Sequence, residues 1–339
     1  MKNKTAFAIG VLIQWYEVEI VGEYFKTLAE AIKKYDGSVI IDVTVVTQTQ
    51  LEKPKFKCGE HSMKKCRESI FKSMWKYLPN VRVHYRSISD SGQKWPDIKV
   101  NSTIFTIADY RREFSEKYCD VVDLLIWGES DMLVPKQMFT ALDLLHQQVS
   151  ENTPKYITTF GICKMWDDSW KPLEHVKFTD KPFIENDYEN WWSLKYTMNE
   201  SEMNLINEEV EELDIATIKP FKFNGCSLVI SSEVIRSGVN IPRSVFFVHE
   251  DTAFQIMLQK LLPNIPQYHI RNLLVVHNRN HPKKRMYIDE SVEGSMNKRR
   301  RSNEWYVKAN KFSEENCYNI FNPTYKAKSW NDVFDSNNL

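Results

Sequence analysis

The chain has 339 residues, a formal net charge of zero and 42% hydrophobic residues. That length can bury a full core without disulfide or metal staples, and the balance excludes both a disordered chain and a uniformly basic nucleic-acid binder. Any charge-driven contact has to come from a local patch. The apolar stretch from Ala6 to Ile13 is too short to cross a bilayer and has no small-residue cleavage site, so the expected location is the cytoplasm. Six cysteines form no paired framework and are expected as thiols. Cys58, His61 and Cys66 lie close together, but no second ligand pair follows at zinc spacing.

In chain order, residues 6–13 and the β-branched run 39–46 read as buried parallel strands. Between them Val21, Tyr24, Phe25, Leu28, Ile32 and Tyr35 form a helical stripe, with Asp36-Gly37 as the stop. A second helix is expected from Ser62 to Tyr77, halting before Pro79, and a third from Thr106 to Tyr118. Val121 to Trp127 follows as another buried strand and runs into Gly128-Glu-Ser-Asp131. Pro135 then stands at a helix start, with Phe139, Leu142 and Leu145 on its apolar face.

Residues 156–163 read as a strand, and the tryptophan-rich segment 166–192 has no clean period. An acidic helix capped by Asn199 and Glu202 is expected next, with Met203, Ile206, Val210 and Leu213 inward and Glu208, Glu209, Glu211 and Glu212 outward. The last elements are a strand at Cys226–Ile230, a short helix capped by Ser231 or Ser232 and ended by Gly238, a helix from Glu250 to Pro263, and a strand Asn272–Val276 ending at His277. The alternation predicts an α/β protein with an open, mainly parallel twisted sheet and helices on both faces.

Two carboxylates one residue apart, Glu129 and Asp131, after a buried strand need water, a cation or hydrogen-bond donors, and a hard divalent ion satisfies both. Ligands of open α/β sheets bind beyond the carboxyl ends of the strands, which is where this pair falls. The run from Tyr118 to Phe139 resembles the metal-binding DxD region of the GT-A glycosyltransferases. Phe223-Asn-Gly-Cys-Ser-Leu-Val-Ile-Ser-Ser-Glu-Val-Ile235, Gly238 and Phe247-Val-His-Glu-Asp251 look like that family's acceptor-side block. Val275-Val-His277 is similar to its late metal-binding histidine. The three blocks come in the family's order and span about residues 6–282. Glu129 departs from the first Asp of the motif, and nothing after His277 matches.

The resemblance implies a Rossmann-like GT-A fold with residues 1–282 as a catalytic domain, 1–131 as its nucleotide-sugar half and 132–282 as its acceptor half. Residues 283–339 are left as a basic C-terminal extension. The implied activity is transfer of a sugar, hexosyl or pentosyl, from a nucleotide diphosphate donor, UDP-linked by preference, with Mn²⁺ or Mg²⁺ at Glu129, Asp131 and His277. Asp251, with Glu250 second, is the expected base for the acceptor hydroxyl; both also suit a helix first turn.

Gln14, Trp15, Tyr16 and Glu17 after the first strand, and Arg111 and Arg112, are candidates for nucleotide contact, with core packing or a surface helix as their alternatives. Trp166, Trp170, Trp191 and Trp192 are candidates for the acceptor, or pack. Lys283, Lys284, Arg285, Lys298, Arg299, Arg300 and Arg301 can bind phosphates or form a solvated loop. The basic tail and the tryptophans lean the acceptor toward hydroxymethylated pyrimidine in duplex DNA of the phage type. A surface glycan, polysaccharide or lipid-linked, is the alternative, and a non-catalytic carbohydrate- or nucleic-acid-binding protein is the reading from another class. A sugar nucleotidyltransferase would need a glycine-rich loop after the first strand, where Val11 to Glu17 has no glycine.

Overall fold

The computed structural model describes residues 3–47, 63–89, 105–208, 210–279, 281 and 303–334. The chain opens with β1 (Phe7–Gln14), α1 (Val21–Lys33), β2 (Val39–Thr47), α2 (Met63–Tyr77), β3 (Arg82–Ser89) and α3 (Ile107–Tyr118). It continues through β4 (Leu124–Glu129), β5 (Met132–Leu133), α4 (Met138–Val149), β6 (Ile157–Gly161), α5 (Glu200–Asn207), β7 (Ile215–Ile218) and β8 (Leu228–Ser231). It closes with α6 (Ser232–Arg236), α7 (Glu250–Leu261), β9 (Gln267–Leu274), β10 (Val276–His277), α8 (Asn303–Tyr318) and α9 (Trp330–Val333).

The main sheet has the order β3-β2-β1-β4-β8-β6-β9-β7. β3, β2, β1, β4, β6 and β9 run one way, and β8 and β7 run against them. The expected α/β, mainly parallel sheet is what the chain forms. β1 shows why its run is apolar throughout. Ile9, Val11 and Ile13 pack with Tyr24, Phe25 and Leu28 of α1, while Ala8 and Leu12 pack with Tyr110 and Phe114 of α3 on the other face. Gly10 lets α3 approach, since a Cβ there would fall 2.6 Å from Phe114.

Several boundaries differ from expectation for identifiable reasons. The strand before the acidic pair begins at Leu124, because Val121 and Val122 close a turn onto the Tyr118 carbonyl, and it runs on through Glu129. The acidic helix stops at Asn207. That side chain is fully buried and turns to the end of β9, donating to the Leu274 carbonyl at 3.0 Å and accepting the Leu274 N–H at 2.8 Å. Ile215 and Ile218 then join the edge strand β7. β3 was not expected, and β9 starts five residues before Asn272, at Gln267. Cys58 and His61 lie outside the described residues, and Cys66 is buried in α2.

The described part of the expected extension packs back on the core. Asn316 donates to the Ser244 carbonyl at 3.0 Å and Ser313 to the Phe246 carbonyl at 3.2 Å, while Phe312 and Trp330 ring Phe246. α8 and α9 therefore brace the loop that leads into α7.

Asn207→Leu fills similar space but strands a buried N–H and C=O at the end of β9. It should cost about 2 kcal/mol or more in urea unfolding. A loss below about 0.5 kcal/mol would show that this bond pair is not what ends α5.

Candidate functional site

β4 delivers Glu129 at its last position, and a two-residue turn brings Asp131 ahead of β5. β10 then pairs antiparallel with β5, His277 opposite Met132, and the Asn278 N–H donates to the Asp131 carbonyl at 2.9 Å. This small ribbon, not the end of β9, carries the histidine. It sets His277 Nε2 at 3.0 Å from Glu129 Oε2 and 3.5 Å from Asp131 Oδ1. One ligand atom from each of the three lies within 4.8 Å of the others. Two carboxylates and an imidazole converging at this range fit a divalent cation, the carboxylates favouring Mg²⁺ or Mn²⁺.

Arg111 stands behind the cluster with 2% of its side chain exposed. Its guanidinium donates to Glu129 Oε1 at 2.7 Å, to Glu250 Oε1 at 2.5 Å and to the Gly225 carbonyl at 2.8 Å, and it lies 5.0 Å from the Trp127 ring centre. Gly225 is required for this: a Cβ there would sit 1.9 Å from Arg111 Nη1. One cation from α3 thus joins the end of β4 to the start of α7.

Charge in the cluster is tightly coupled. Burial opposes the charge on His277, but Glu129 and Asp131 outweigh it and raise the imidazole to about 10. Burial likewise pushes the Glu129 carboxyl up, yet His277 and Arg111 override it, against Asp131, and bring it down to about 2. Glu250 goes the other way, lifted by burial and by Asp251 more than Arg111 lowers it, to about 7.

A cleft of about 620 Å³ opens beside these residues and is lined by Arg111, Glu129, His277, Glu250, Asp251, Trp166 and Trp170. Asp251 lies in the first turn of α7, where its Oδ1 accepts the Thr252 N–H at 2.7 Å. Glu250 is committed to Arg111. His249, just before them, has the left-handed φ of 66°, which turns the chain so that both acids start α7.

Other expected residues are placed elsewhere. Trp15 is fully buried, and Tyr16 and Glu17 nearly so, with Glu17 Oε2 accepting the Gln14 N–H at 2.8 Å to close a one-turn 3₁₀ helix. Buried rings offer no face to a nucleobase, so only Gln14, half-buried two residues past the Leu12–Glu129 pair, keeps an open position. Arg112 turns away from the cleft and donates to the carbonyls of Ile241, Pro242 and Val245. Trp191 packs edge-on against Phe178 at 5.1 Å and Trp192 packs beside it, so neither lines the cleft. Lys283, Lys284, Arg285, Lys298, Arg299, Arg300 and Arg301 lie outside the described residues. Lys222 and Arg279, which no sequence signal marked, line the cleft as well.

No profile of a known protein family matches the chain, and no curated protein matches it. Among solved structures, glucosyl-3-phosphoglycerate synthase from Mycobacterium tuberculosis, with Mn²⁺, UDP-glucose and phosphoglyceric acid, is similar at a TM-score of 0.42 and 11% identity. That likeness covers 93% of this chain and 80% of the other. TarS 1-349 of S. aureus, with UDP-GlcNAc, is similar at 0.41 and 10% identity over 93% and 73% of the two chains. Likeness at this level assigns no residue and no activity, so function is read from the cleft itself.

Two outcomes are expected. A cation at the cluster needs a neutral imidazole, whereas His277 with a value of about 10 is protonated at pH 7. Mn²⁺ binding should therefore release about one proton, and affinity should rise with pH up to that value. Calorimetry in buffers of different ionisation heat reads the proton count, and zero release would place the ion elsewhere. Gly225→Ala should displace Arg111 and weaken Mn²⁺ binding by about tenfold, a typical loss when a ligand's support is removed; unchanged affinity would deny Arg111 that role.

Proposed function

We propose that the chain is a divalent-metal-dependent glycosyltransferase of the GT-A type. It moves a sugar from a nucleotide diphosphate donor, UDP-linked by preference, to an acceptor hydroxyl. The observation that carries this reading is the convergence of Glu129, Asp131 and His277 at the carboxyl edge of the parallel strands, with Glu129 and His277 lining one cleft with Asp251. Mn²⁺ or Mg²⁺, if held by the three residues, would supply positive charge to the diphosphate leaving group.

The protein's own part follows from the geometry. Arg111 fixes the Glu129 carboxylate from behind and, through Glu250, fixes the start of α7. Asp251 stands on that helix at the cleft wall. In the inverting course its carboxylate takes the proton from the acceptor hydroxyl. The hydroxyl oxygen then bonds to the anomeric carbon as the bond to the diphosphate oxygen breaks, and the diphosphate leaves with the electron pair. Glu250 is a positioning residue here, since its contact is Arg111.

The DNA acceptor expected from the basic tail has no support in the described residues, because those clusters lie outside them. A binding protein without activity would give no donor hydrolysis with Mn²⁺ present.

Screening UDP-, GDP- and dTDP-sugars for Mn²⁺-dependent hydrolysis tests the reading. Asp131→Asn should abolish that hydrolysis while circular dichroism stays native; retained hydrolysis would remove Asp131 from the metal site. Asp251→Asn should lower kcat by about 10²-fold or more with donor affinity kept, as loss of a general base does. Lost donor affinity at unchanged kcat would make Asp251 a binding residue instead.

A further inference from the structure

The cleft has a second charged locus apart from the metal cluster. Lys222 reaches it from the loop before β8, and Arg279 from the turn just after β10. Lys222 is anchored through its backbone by Gln267, a fully buried side chain at the start of β9. Gln267 accepts the Lys222 N–H at 2.9 Å and donates to the Lys222 carbonyl at 2.6 Å. The Arg279 N–H donates to the His277 carbonyl at 2.8 Å, so this cation is geared to the ribbon that sets the metal cluster.

Their heads are held by indoles. Lys222 Nζ lies 4.6 Å from the centre of the Trp170 ring and donates to Ser169 Oγ at 2.7 Å. The Arg279 guanidinium lies 5.2 Å from the centre of the Trp166 ring. The two rings meet edge to face at 4.9 Å, forming one bracket between the cations. Trp166 and Trp170, expected at the acceptor or in packing, both line the cleft, each with one cation over its ring. A cation over an aromatic ring gains attraction without being neutralised.

Among the described residues, no carboxylate lies within ion-pair distance of Lys222 or Arg279. Asp167, whose carboxyl responds to Lys222, gives its Oδ1 to the Ser169 N–H at 2.8 Å. Arg111 is the contrast, since Glu129 and Glu250 consume its charge. Two positioned cations in a cleft, neither in an ion pair among the described residues, suit an anion. The pair of a guanidinium fork and a point-charge ammonium suits a phosphate or carboxylate.

We infer that Lys222 and Arg279 form a subsite for an anionic group on the acceptor, which makes the acceptor a phosphorylated or carboxylated sugar or polyol. The inference rests on the glycosyltransferase reading for the word acceptor, and on the cleft alone for the anion. On that reading a divalent cation held by Glu129, Asp131 and His277 would take the donor's diphosphate. A second anion locus in the same cleft therefore goes to the other substrate. A cleft of about 620 Å³ takes a small ligand. Trp166 and Trp170 are positioning residues for the two cations.

Calorimetry with the full chain, Mn²⁺ and UDP present, compares glucose 6-phosphate with glucose, and galacturonic acid with galactose. The anionic member of each pair should bind at least about tenfold more tightly, the scale of one charge-assisted hydrogen bond. A Lys222→Gln/Arg279→Gln double variant should erase that preference while UDP and Mn²⁺ affinities stay within about twofold. Trp170→Leu should reduce the preference in part, with Mn²⁺ affinity again kept. Equal binding of charged and neutral probes, or a double variant that keeps the preference, overturns the subsite. A double variant that loses UDP affinity overturns it too, by giving the cations to the donor. Displacement of the anionic probes only by duplex DNA, with no preference among the monosaccharides, overturns the small-acceptor assignment. Donor hydrolysis by the wild type, measured separately, reports on the glycosyltransferase reading: its absence beside an intact anion preference sinks that reading and not the subsite.

Discussion

The site depends on a single buried cation. Arg111 brings together two carboxylates from elements far apart in the chain, Glu129 at the end of β4 and Glu250 at the start of α7, and adds the carbonyl of Gly225. Without it two buried acids would face each other beside Asp131 and Asp251. Burial alone works against the Arg111 charge, and Glu250, Glu129 and Asp251 reverse that. Removing one member of such a buried network leaves the others uncompensated, a loss of about 3–5 kcal/mol in comparable cases. The arrangement therefore does two jobs: it fixes the geometry of a candidate metal ligand and it fixes the helix that carries the proposed base.

Around this centre the fold supplies two further fasteners. The β5–β10 ribbon determines where His277 points, and Asn278 extends it by exchanging two hydrogen bonds with the backbone of Met198, at 3.1 and 2.7 Å. Asn207 does the same for the end of β9. Each is a buried carboxamide bonded to a backbone N–H and C=O, which is how a loop can be held without a regular sheet. The cleft is thus walled by irregular segments whose positions are nonetheless specified.

What could be read from the sequence was what local pattern encodes. β1, β2 and β4 are buried on both faces and therefore apolar without interruption, and the acids after β4 stood out against that run. Strand direction has no local signature, so β8 running against its neighbours was not legible. β3 escaped notice because its residues, Arg82 to Ser89, are largely polar at the sheet edge. Within the site, Glu129, His277, Glu250 and Asp251 line one cleft, and Asp131 lies beside His277. The partners of Arg111 and Arg112, adjacent residues with opposite destinations, are set by tertiary contacts alone. Trp15 could have been a stacking face or core, and only burial decides that. Lys222 and Arg279 carried no signal, because each acquires its meaning from a tryptophan more than 50 residues away in sequence.

The bracing of the loop before α7 by α8 and α9 has a consequence for biosynthesis. Phe247 and His249 both have left-handed backbone, with φ of 93° and 66°, and such conformations persist only when surroundings over-determine them. Those surroundings include Phe312, Ser313, Asn316 and Trp330. While the ribosome is still making residues 303–334, the parallel half of the sheet can already be formed, but the loop that aims Glu250 and Asp251 lacks its support. The loop that aims Glu250 and Asp251 is thus made before the segment that supports its left-handed backbone.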